Sequence, residues 1–278
     1  MGLGGGRSAT AAGAPPGGGA APFSNAYSLE FDGSDELLIM GDLTDLNQQS
    51  SVPYGLTQIS MSFWIYPNNG ASANQAVFSA NSNYLRGLFF QEYAPASQLY
   101  IGWGYGAHSI SATLNDSQWY HVCAVYDASL SAPRGAFYLD GVSQTINDNY
   151  PATTNTAGFN TPAGDGFAVG AYRSNSYSTI SHNWEGRVDE MAIWTSALTA
   201  QQAMNIAKGG ESSDSKVSGD DLAVGSLASF EPEHWWRMGD GGTWDGTNWT
   251  IPDVGYGDAT TSATTSNMVE SSRTSGAP

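Results

Sequence analysis

The chain has 278 residues and carries 26 acidic against 9 basic side chains, which gives a formal net charge of −17 at pH 7. A field of this sign repels phosphate backbones, so we expect no nucleic-acid partner. No stretch reaches the roughly 18 apolar residues of a membrane span. The N-terminal segment also lacks the apolar core of a secretory signal. The length allows one large domain, or one domain with an appendage.

Residues 1–25 consist largely of glycine, alanine and proline, with almost no apolar bulk. A segment of this composition cannot offset the conformational entropy that ordering would cost. We therefore predict a flexible N-terminal arm.

Residues 26–209 show the pattern of many short strands. In AYSLEFDG, the side chains of Tyr27, Leu29 and Phe31 fall on one face, which is the period of a half-buried strand. Eight further apolar segments follow, at 59–67, 75–81, 87–93, 98–106, 118–127, 135–142, 167–173 and 186–194. This regular spacing predicts an all-β fold, an antiparallel two-sheet jelly-roll sandwich.

The segment TSALTAQQAMNIAKGG breaks the strand pattern and predicts a short helix. Thr199 would cap its start and Gly209 would end it, with Ala203, Met204 and Ala207 along one side. Cys123 is the single cysteine, so no intrachain disulfide can form. Since it lies in the apolar strand pattern WYHVCAVYD, we expect a buried, unreactive side chain.

Beyond the strand-rich body, residues 210–226 are polar and predict a linker. Residues 227–278 form a C-terminal extension with one apolar strand, in SFEPEHWWRMGDGG. The remaining Gly, Thr, Ser and Asn-rich part, residues 241–278, predicts irregular structure.

The order of these segments resembles the laminin-G-like domains of the concanavalin A-like lectin/glucanase superfamily. The most specific match is EGRVDEMAIWTSALTAQQA, because such domains typically end on a glycine, an aliphatic–Asp–Glu strand, an aromatic and a short helix. The matching residues are Gly186, Val188, Asp189, Glu190, Trp194, Ala197, Leu198 and Thr199. The resemblance implies a jelly roll in which the first and last strands lie side by side.

The C-terminal piece HWWRMGDGGTWDG is similar to the segment that normally opens such a domain. The fold is therefore circularly permuted, or a truncated second repeat begins here, or the strand is donated to a neighbouring subunit. We rank packing on its own body first and exchange between subunits second.

The chain resembles structural proteins of marine tailed bacteriophages in three respects. They are the sequence HWWRMGD, the Gly-rich arm and the lysine-poor acidic composition. This resemblance implies a non-enzymatic structural or adhesive protein of the virion surface, such as a capsid decoration, fibre or tail accessory protein. Its partners would be further copies of itself or other virion proteins. A phage protein folds in the reducing host cytoplasm and leaves by lysis, which agrees with a chain that has neither a signal peptide nor disulfides.

Four carboxylates are candidate ligands for a structural calcium ion. Calcium needs six to eight oxygen ligands, which grouped carboxylates and turn carbonyls supply. With the first and last strands adjacent, we expect Asp189 near Asp32 and Asp35 of the FDGSD turn, joined by Asp240 if the C-terminal strand packs nearby. The alternative is that these carboxylates cap backbone N–H groups.

The alternative function is carbohydrate binding, to host or algal polysaccharide or another cell-surface glycan. Sugars dock on exposed aromatic rings and polar side chains, and the candidates are Trp103 and Tyr105 in GWGYGAHS and Tyr172 and Tyr177 in AYRSNSYSTISHNW. The alternative for each aromatic is a place in the core.

A glucanase is the third possibility, since the superfamily includes enzymes with paired carboxylates on one strand. The nearest pattern is EFDGSDE, with Glu30, Asp32 and Asp35. Because a DGSD turn interrupts that strand, we predict no enzymatic activity.

Overall fold

The computed structural model describes residues 25–40, 57–68, 74–83, 86–93, 97–103, 106–131, 134–150, 167–173, 180–207, 231–256 and 262–278. The predicted arm, apart from its last residue, and the predicted linker lie outside these ranges.

Eight strands form the first sheet. They are β1 (Tyr27–Asp32), β3 (Gln58–Pro67), β8 (Tyr120–Asp127), β9 (Gly135–Leu139), β10 (Val142–Gln144), β15 (Glu185–Trp194), β16 (His234–Trp236) and β20 (Arg273–Ser275). Their order across the sheet is β10-β9-β8-β3-β15-β1-β20, with β16 paired to β15 alongside this path. The first strand and the last strand of the body, β1 and β15, are thus neighbours, as the sequence predicted.

Ten strands form the second sheet. They are β2 (Leu37–Ile39), β4 (Asn74–Asn83), β5 (Arg86–Tyr93), β6 (Gln98–Trp103), β7 (Gly106–Ser111), β11 (Asn147–Tyr150), β12 (Ala168–Val169), β17 (Thr243–Trp244), β18 (Trp249–Ile251) and β19 (Ala263–Ser266). Their order is β11-β7-β6-β5-β4-β12-β2-β19-β18-β17, and a separate hairpin pairs β13 (Tyr172–Arg173) with β14 (Ile180–Ser181). The strand pairs are antiparallel, so the predicted two-sheet sandwich is confirmed.

Aromatic side chains join the two sheets across the core. Phe63 of the first sheet meets Phe78 and Phe90 of the second edge to face, with ring centroids 5.4 and 5.2 Å apart. Phe90 also stacks on Phe137 at 6.0 Å. These residues are fully buried because alternation along each strand turns them inward.

A helix, α1 (Ala200–Ala207), packs on the outer face of the first sheet. Thr199 caps it as predicted, since its hydroxyl accepts from Gln202 N (3.2 Å) while the Gln202 side chain accepts from Thr199 N (2.8 Å). Under the helix, Cys123 is fully buried, which raises the pKa of its thiol to about 12 and confirms the predicted inert side chain.

The C-terminal extension completes both sheets of its own body. Residues 231–278 supply β16 and β20 to the first sheet and β17, β18 and β19 to the second. The prediction of irregular structure for 241–278 was therefore wrong for these short strands. Segments such as ATTS lack an apolar alternation, and pairing with β2 and β18 decides their conformation. In the described residues, no helix is long and apolar enough to cross a membrane.

Candidate functional site

A bulge in β15 explains the position of its two acids. Asp189 lies opposite Trp64 of β3, whereas Ala192 lies opposite Ser62, so β15 takes three steps where β3 takes two. Glu190 accommodates the extra residue with a left-handed backbone, at φ 48°. A bulge re-aims side chains out of the strand alternation, and here it places both carboxylates beside the C-terminal extension.

The Glu190 carboxylate joins β15 to the extension. Its Oε2 accepts from the Trp235 indole N–H at 2.6 Å, and its Oε1 accepts from Arg237 Nε at 2.9 Å. Arg237 Nη2 is also 2.9 Å from Oε1, and both charged side chains are at most 8% exposed. The Arg237 guanidinium lies 5.0 Å from the Trp235 ring centroid. A charge-assisted pair of this kind, shielded from water, has a structural role here.

Asp189 lies beside this pair and is fully buried. Its Oδ1 accepts from the backbone N–H of Glu190 at 2.8 Å. Burial, and secondly the Glu190 charge, raise the pKa of Asp189 well above its ordinary range, so the protonated form is favoured. Nearby, Asp240 Oδ2 accepts from the backbone N–H groups of Ala26 and Tyr27, at 3.0 and 3.1 Å, and so holds the start of β1.

A second buried pair follows on β16. His234 Nδ1 lies 2.6 Å from Asp253 Oδ2, with neither side chain exposed. Asp253 Oδ1 accepts from Trp235 N at 2.9 Å, and the His234 ring stacks on Trp236 at 5.2 Å. This pair was not predicted from the sequence, because its members are 19 positions apart and no recognisable motif joins them.

We call Asp189, Glu190, His234, Arg237 and Asp253 the buried junction. Since each is at most 7% exposed, none is placed to meet a ligand from solvent. Of the two acids of the DE motif, Glu190 joins β15 to the C-terminal extension at this point.

The four predicted calcium ligands do not fit a single site. In the antiparallel register Asp32 pairs with Glu185, whereas Asp189 follows Val188, the partner of Leu29. The two aspartates are thus separated by four residues of strand, about 13 Å. Asp240 is on the Asp189 side, and the turn residue Asp35 is on the Asp32 side.

Among the described residues, no group of three or more acidic, histidine or cysteine side chains could hold a metal ion. A calcium requirement stays a prediction, which thermal unfolding with calcium and with a chelator tests.

Of the three carboxylates weighed for a glucanase, those of Glu30 and Asp32 have local partners. Glu30 Oε2 is 3.5 Å from Arg187 Nε on the neighbouring strand. Asp32 Oδ1 accepts from Ser34 N at 2.8 Å, which is the capping arrangement of a turn. Asp35 contributes its carbonyl oxygen to the Asn267 side chain at 3.1 Å.

A different surface carries accessible polar and aromatic groups, on the outer side of the second sheet. Leu99 and Ile101 of β6 point into the core, so the alternate residues Gln98 and Tyr100 point outward. The pairing of neighbouring strands then aligns one row across four strands, from Asn74 through Tyr93 and Gln98 to Ser111. We call this row together with Tyr100 the amide–tyrosine face.

Contacts within the amide–tyrosine face fix its side chains. The Tyr93 and Tyr100 rings meet edge to face at 6.3 Å, and Tyr100 donates its hydroxyl hydrogen to Gln98 Oε1 at 2.7 Å. The buried Gln91, one row further in, donates its amide to Asn74 Oδ1. Tyr93 is 38% exposed, so its ring is available to a ligand while its position is held.

The segment that contains two predicted sugar-binding tyrosines borders this face. The carbonyl of His182 accepts from Ala76 N of β4 at 2.7 Å, so the β13–β14 hairpin leaves the second sheet beside β4. Tyr172 lies in the base of that hairpin and is 2% exposed, with its ring against His182 at 6.1 Å. Tyr177 lies outside the described residues.

Trp103 is the last residue of β6, opposite Gly106 of β7, and Tyr105 lies outside the described residues. The predicted residue Trp103 thus shares β6 with Gln98 and Tyr100, whereas Tyr93, Gln98 and Tyr100 were not among the residues predicted from the sequence. The alternation in QLYIGW was the available signal, since it sends Gln98 and Tyr100 to the face opposite Leu99 and Ile101.

The fold is an antiparallel two-sheet β-sandwich of the laminin-G/concanavalin A type. Residues 24–204 match the Laminin_G_3 family model, and the chain belongs to the concanavalin A-like lectin/glucanases superfamily. The match ends before β16, so the C-terminal extension lies outside it. A search of the curated proteins finds no match.

Solved structures share the fold at low sequence identity. One is a Bacteroides ovatus protein to which carbohydrate binding has been provisionally assigned, with a TM-score of 0.60, 16% identity, and coverage of 92% of this chain and 61% of that chain. Another is the heptameric SAP-like pentraxin of Limulus polyphemus, with a TM-score of 0.49, 19% identity, and coverage of 68% and 84%. A third is the CBM40 of a Ruminococcus gnavus sialidase bound to α2,3-sialyllactose, with a TM-score of 0.46, 11% identity, and coverage of 65% and 96%.

Proposed function

We propose that this protein is a non-enzymatic carbohydrate-binding module and that the amide–tyrosine face is its binding site. The observation that carries the proposal is the exposed Tyr93 ring, held by Tyr100 and flanked by amides on both neighbouring strands.

The chemistry of this face suits a sugar. A pyranose ring offers an apolar C–H face and several hydroxyls, and each hydroxyl both donates and accepts. Tyrosine supplies a flat apolar surface with a polar tip, and the Asn74 and Gln98 amides supply both donors and acceptors. The row from β4 to β7 spans three strand spacings, about 14 Å, so it can contact more than one sugar unit.

Pre-organisation supports the same conclusion. A side chain that is already fixed loses less conformational entropy when a ligand binds. The hydroxyl of Tyr100 fixes Gln98, and Gln91 fixes Asn74, so the two amides on the face are oriented before the ligand arrives.

The comparisons support this proposal at the level of the fold. The superfamily contains lectins, and carbohydrate binding is provisionally assigned to the similar Bacteroides ovatus protein. A place on a virion surface, with further copies or other virion proteins as partners, is a second proposal. Its support is the sequence resemblance alone, and an adhesive face for cell-surface glycans is compatible with it.

A glycan array with the full chain, followed by calorimetry on the best neutral oligosaccharide, tests the binding. Tyr93→Ala should weaken binding at least tenfold. Tyr256→Ala is the matched control, because Tyr256 is 48% exposed and lies after β18, away from the face, and it should leave the affinity unchanged. Equal affinities of the Tyr93→Ala and unaltered proteins would contradict this site.

The proposal that the protein is not an enzyme is tested with the same oligosaccharide. Incubation with the full chain should release no new reducing ends. Hydrolysis that Asp32→Asn abolishes would contradict the proposal and favour a glucanase.

A further inference from the structure

The amide–tyrosine face carries no charge, and its ligand class follows from that. Its five side chains are two amides, two phenols and one hydroxyl. Each of these amide and hydroxyl groups can donate and accept a hydrogen bond, which matches a sugar hydroxyl. A carboxylate or sulfate group is bound best by ionised donors, and none of these five residues supplies one.

The basic residues whose side chains are described have partners away from this face. Of the nine, four have described side chains, and all four belong to strands of the first sheet or to segments next to them. Arg187 pairs with Glu30 at 3.5 Å and Arg237 with Glu190 at 2.9 Å. Arg273 donates to Gly239 O at 2.7 Å, and Arg134 donates to Ala128 O at 2.8 Å.

The side chains of the other five bases are not described, and only Arg86 and Arg173 can be placed on strands. Arg7, Lys208 and Lys216 lie outside the described residues. Arg86 begins β5 and is seven residues from Tyr93, about 23 Å along the strand. Arg173 is in β13, which lies against β4, so it is the base closest to the face in the topology.

The field of the whole molecule acts in the same direction. A net charge of −17 lowers the local concentration of anions and slows their association. We propose that the amide–tyrosine face selects neutral glycans and discriminates against sialylated, uronic or sulfated ones. This proposal rests on the proposed carbohydrate-binding function.

Matched oligosaccharide pairs that differ by one acidic group test this selectivity, with the full chain at about 150 mM salt, where the Debye length is about 8 Å. The first pair is lactose and 3′-sialyllactose, and others are neutral and sulfated forms of any array hit. We expect the neutral member to bind at least tenfold more tightly. Lower salt should widen the difference without altering the affinity for the neutral member.

A positive charge placed on the face should weaken this preference. Ser111→Lys adds an ammonium at an exposed position in the row, next to Gln98. It should improve binding of the acidic member at least fivefold relative to the neutral member of the same pair. Thr243→Lys is the matched control, because it adds the same charge at an exposed position on β17, the opposite edge of the same sheet. It should have little effect on either ligand.

The outcomes separate the two proposals. Tighter binding of acidic members, lost in Arg173→Gln, would overturn the selectivity and leave the carbohydrate-binding function in place. Equal effects of Ser111→Lys and Thr243→Lys would also overturn it, because selectivity would then come from net charge and not from the face. No binding of either class would overturn both proposals.

Discussion

The buried junction and the amide–tyrosine face use polar side chains in opposite ways. The junction contains ionisable groups that are shielded from solvent and that include two close pairs, Glu190 with Arg237 and His234 with Asp253. The face contains uncharged groups that are partly open, such as Tyr93 and Gln98. In this chain the most conspicuous acidic motif, the DE pair of β15, therefore has a structural role. The candidate binding site is instead a row of amides and phenols that forms no sequence motif.

The largest effect on stability is expected when the C-terminal extension, which the buried junction joins to β15, is removed. A chain ending at residue 207 retains the whole region that matches the family model but lacks β16 to β20. It also loses Trp236 and Trp249, which are at most 5% exposed in the core. Truncating one such side chain typically costs about 3–5 kcal/mol, against a total stability of about 5–15 kcal/mol. We expect no cooperative thermal transition by circular dichroism, and a cooperative one at an unchanged temperature would show that the extension is an accessory.

A smaller effect comes from breaking the ion pair in the junction. Glu190→Ala leaves Arg237 buried without its partner, which should cost about 3–5 kcal/mol in the free energy of unfolding. Its control, Glu30→Ala, breaks the partly exposed pair with Arg187 and should cost at most about 1 kcal/mol. Urea denaturation measures both. Similar losses in the two variants would mean that burial of the junction contributes little.

The pH dependence of stability should report on Asp189. Its pKa is raised in the folded state, so the folded protein binds this proton more tightly than the unfolded chain does. The resulting stability is complete below the unfolded pKa, about 4, and is lost as pH rises through the folded pKa. Asp189→Asn removes this loss, so its stability relative to the unaltered protein should increase between pH 4 and pH 8. A difference that is independent of pH would contradict the raised pKa.

The smallest effect on stability is expected at the face. Tyr93→Ala removes a cross-strand aromatic contact from a partly exposed position, which should cost less than about 1 kcal/mol. The same variant should lose most of the glycan affinity. Large losses in both properties would mean that Tyr93 acts on the fold and not on the ligand, and the contrast between the two regions would disappear.

The sequence predicted the sandwich and most of its body strands, because period-2 alternation and a capped helix are local signals. The Thr199 cap and the buried Cys123 are examples. The positions of the aspartates were not local properties. The adjacency of β1 and β15 was predicted correctly, but their antiparallel register moves Asp189 away from Asp32. The extra residue of the bulge, which sets the direction of Glu190, leaves no recognisable mark in EGRVDEMAIW.

The sequence predicted the kind of candidate site, aromatic residues for sugar binding, but not the row of residues that forms it. Aromatic residues were chosen in β6 and in the hairpin segment, whereas the accessible row requires the register of four strands, from Asn74 to Ser111. That register is fixed by pairing between residues up to 19 positions apart, which no pattern in a single segment encodes.

The place of β1 in the first sheet has a consequence for synthesis. Leu29 pairs with Val188 on one side and with Arg273 on the other. At about 5–20 residues per second, roughly 12–50 s pass between synthesis of β1 and of its second partner. The first strand thus waits for its last partner, so we expect the sheet to close only after β20 has left the ribosome. During that interval an unpaired edge is open to other chains, and a ribosome-bound intermediate is the state most exposed to aggregation.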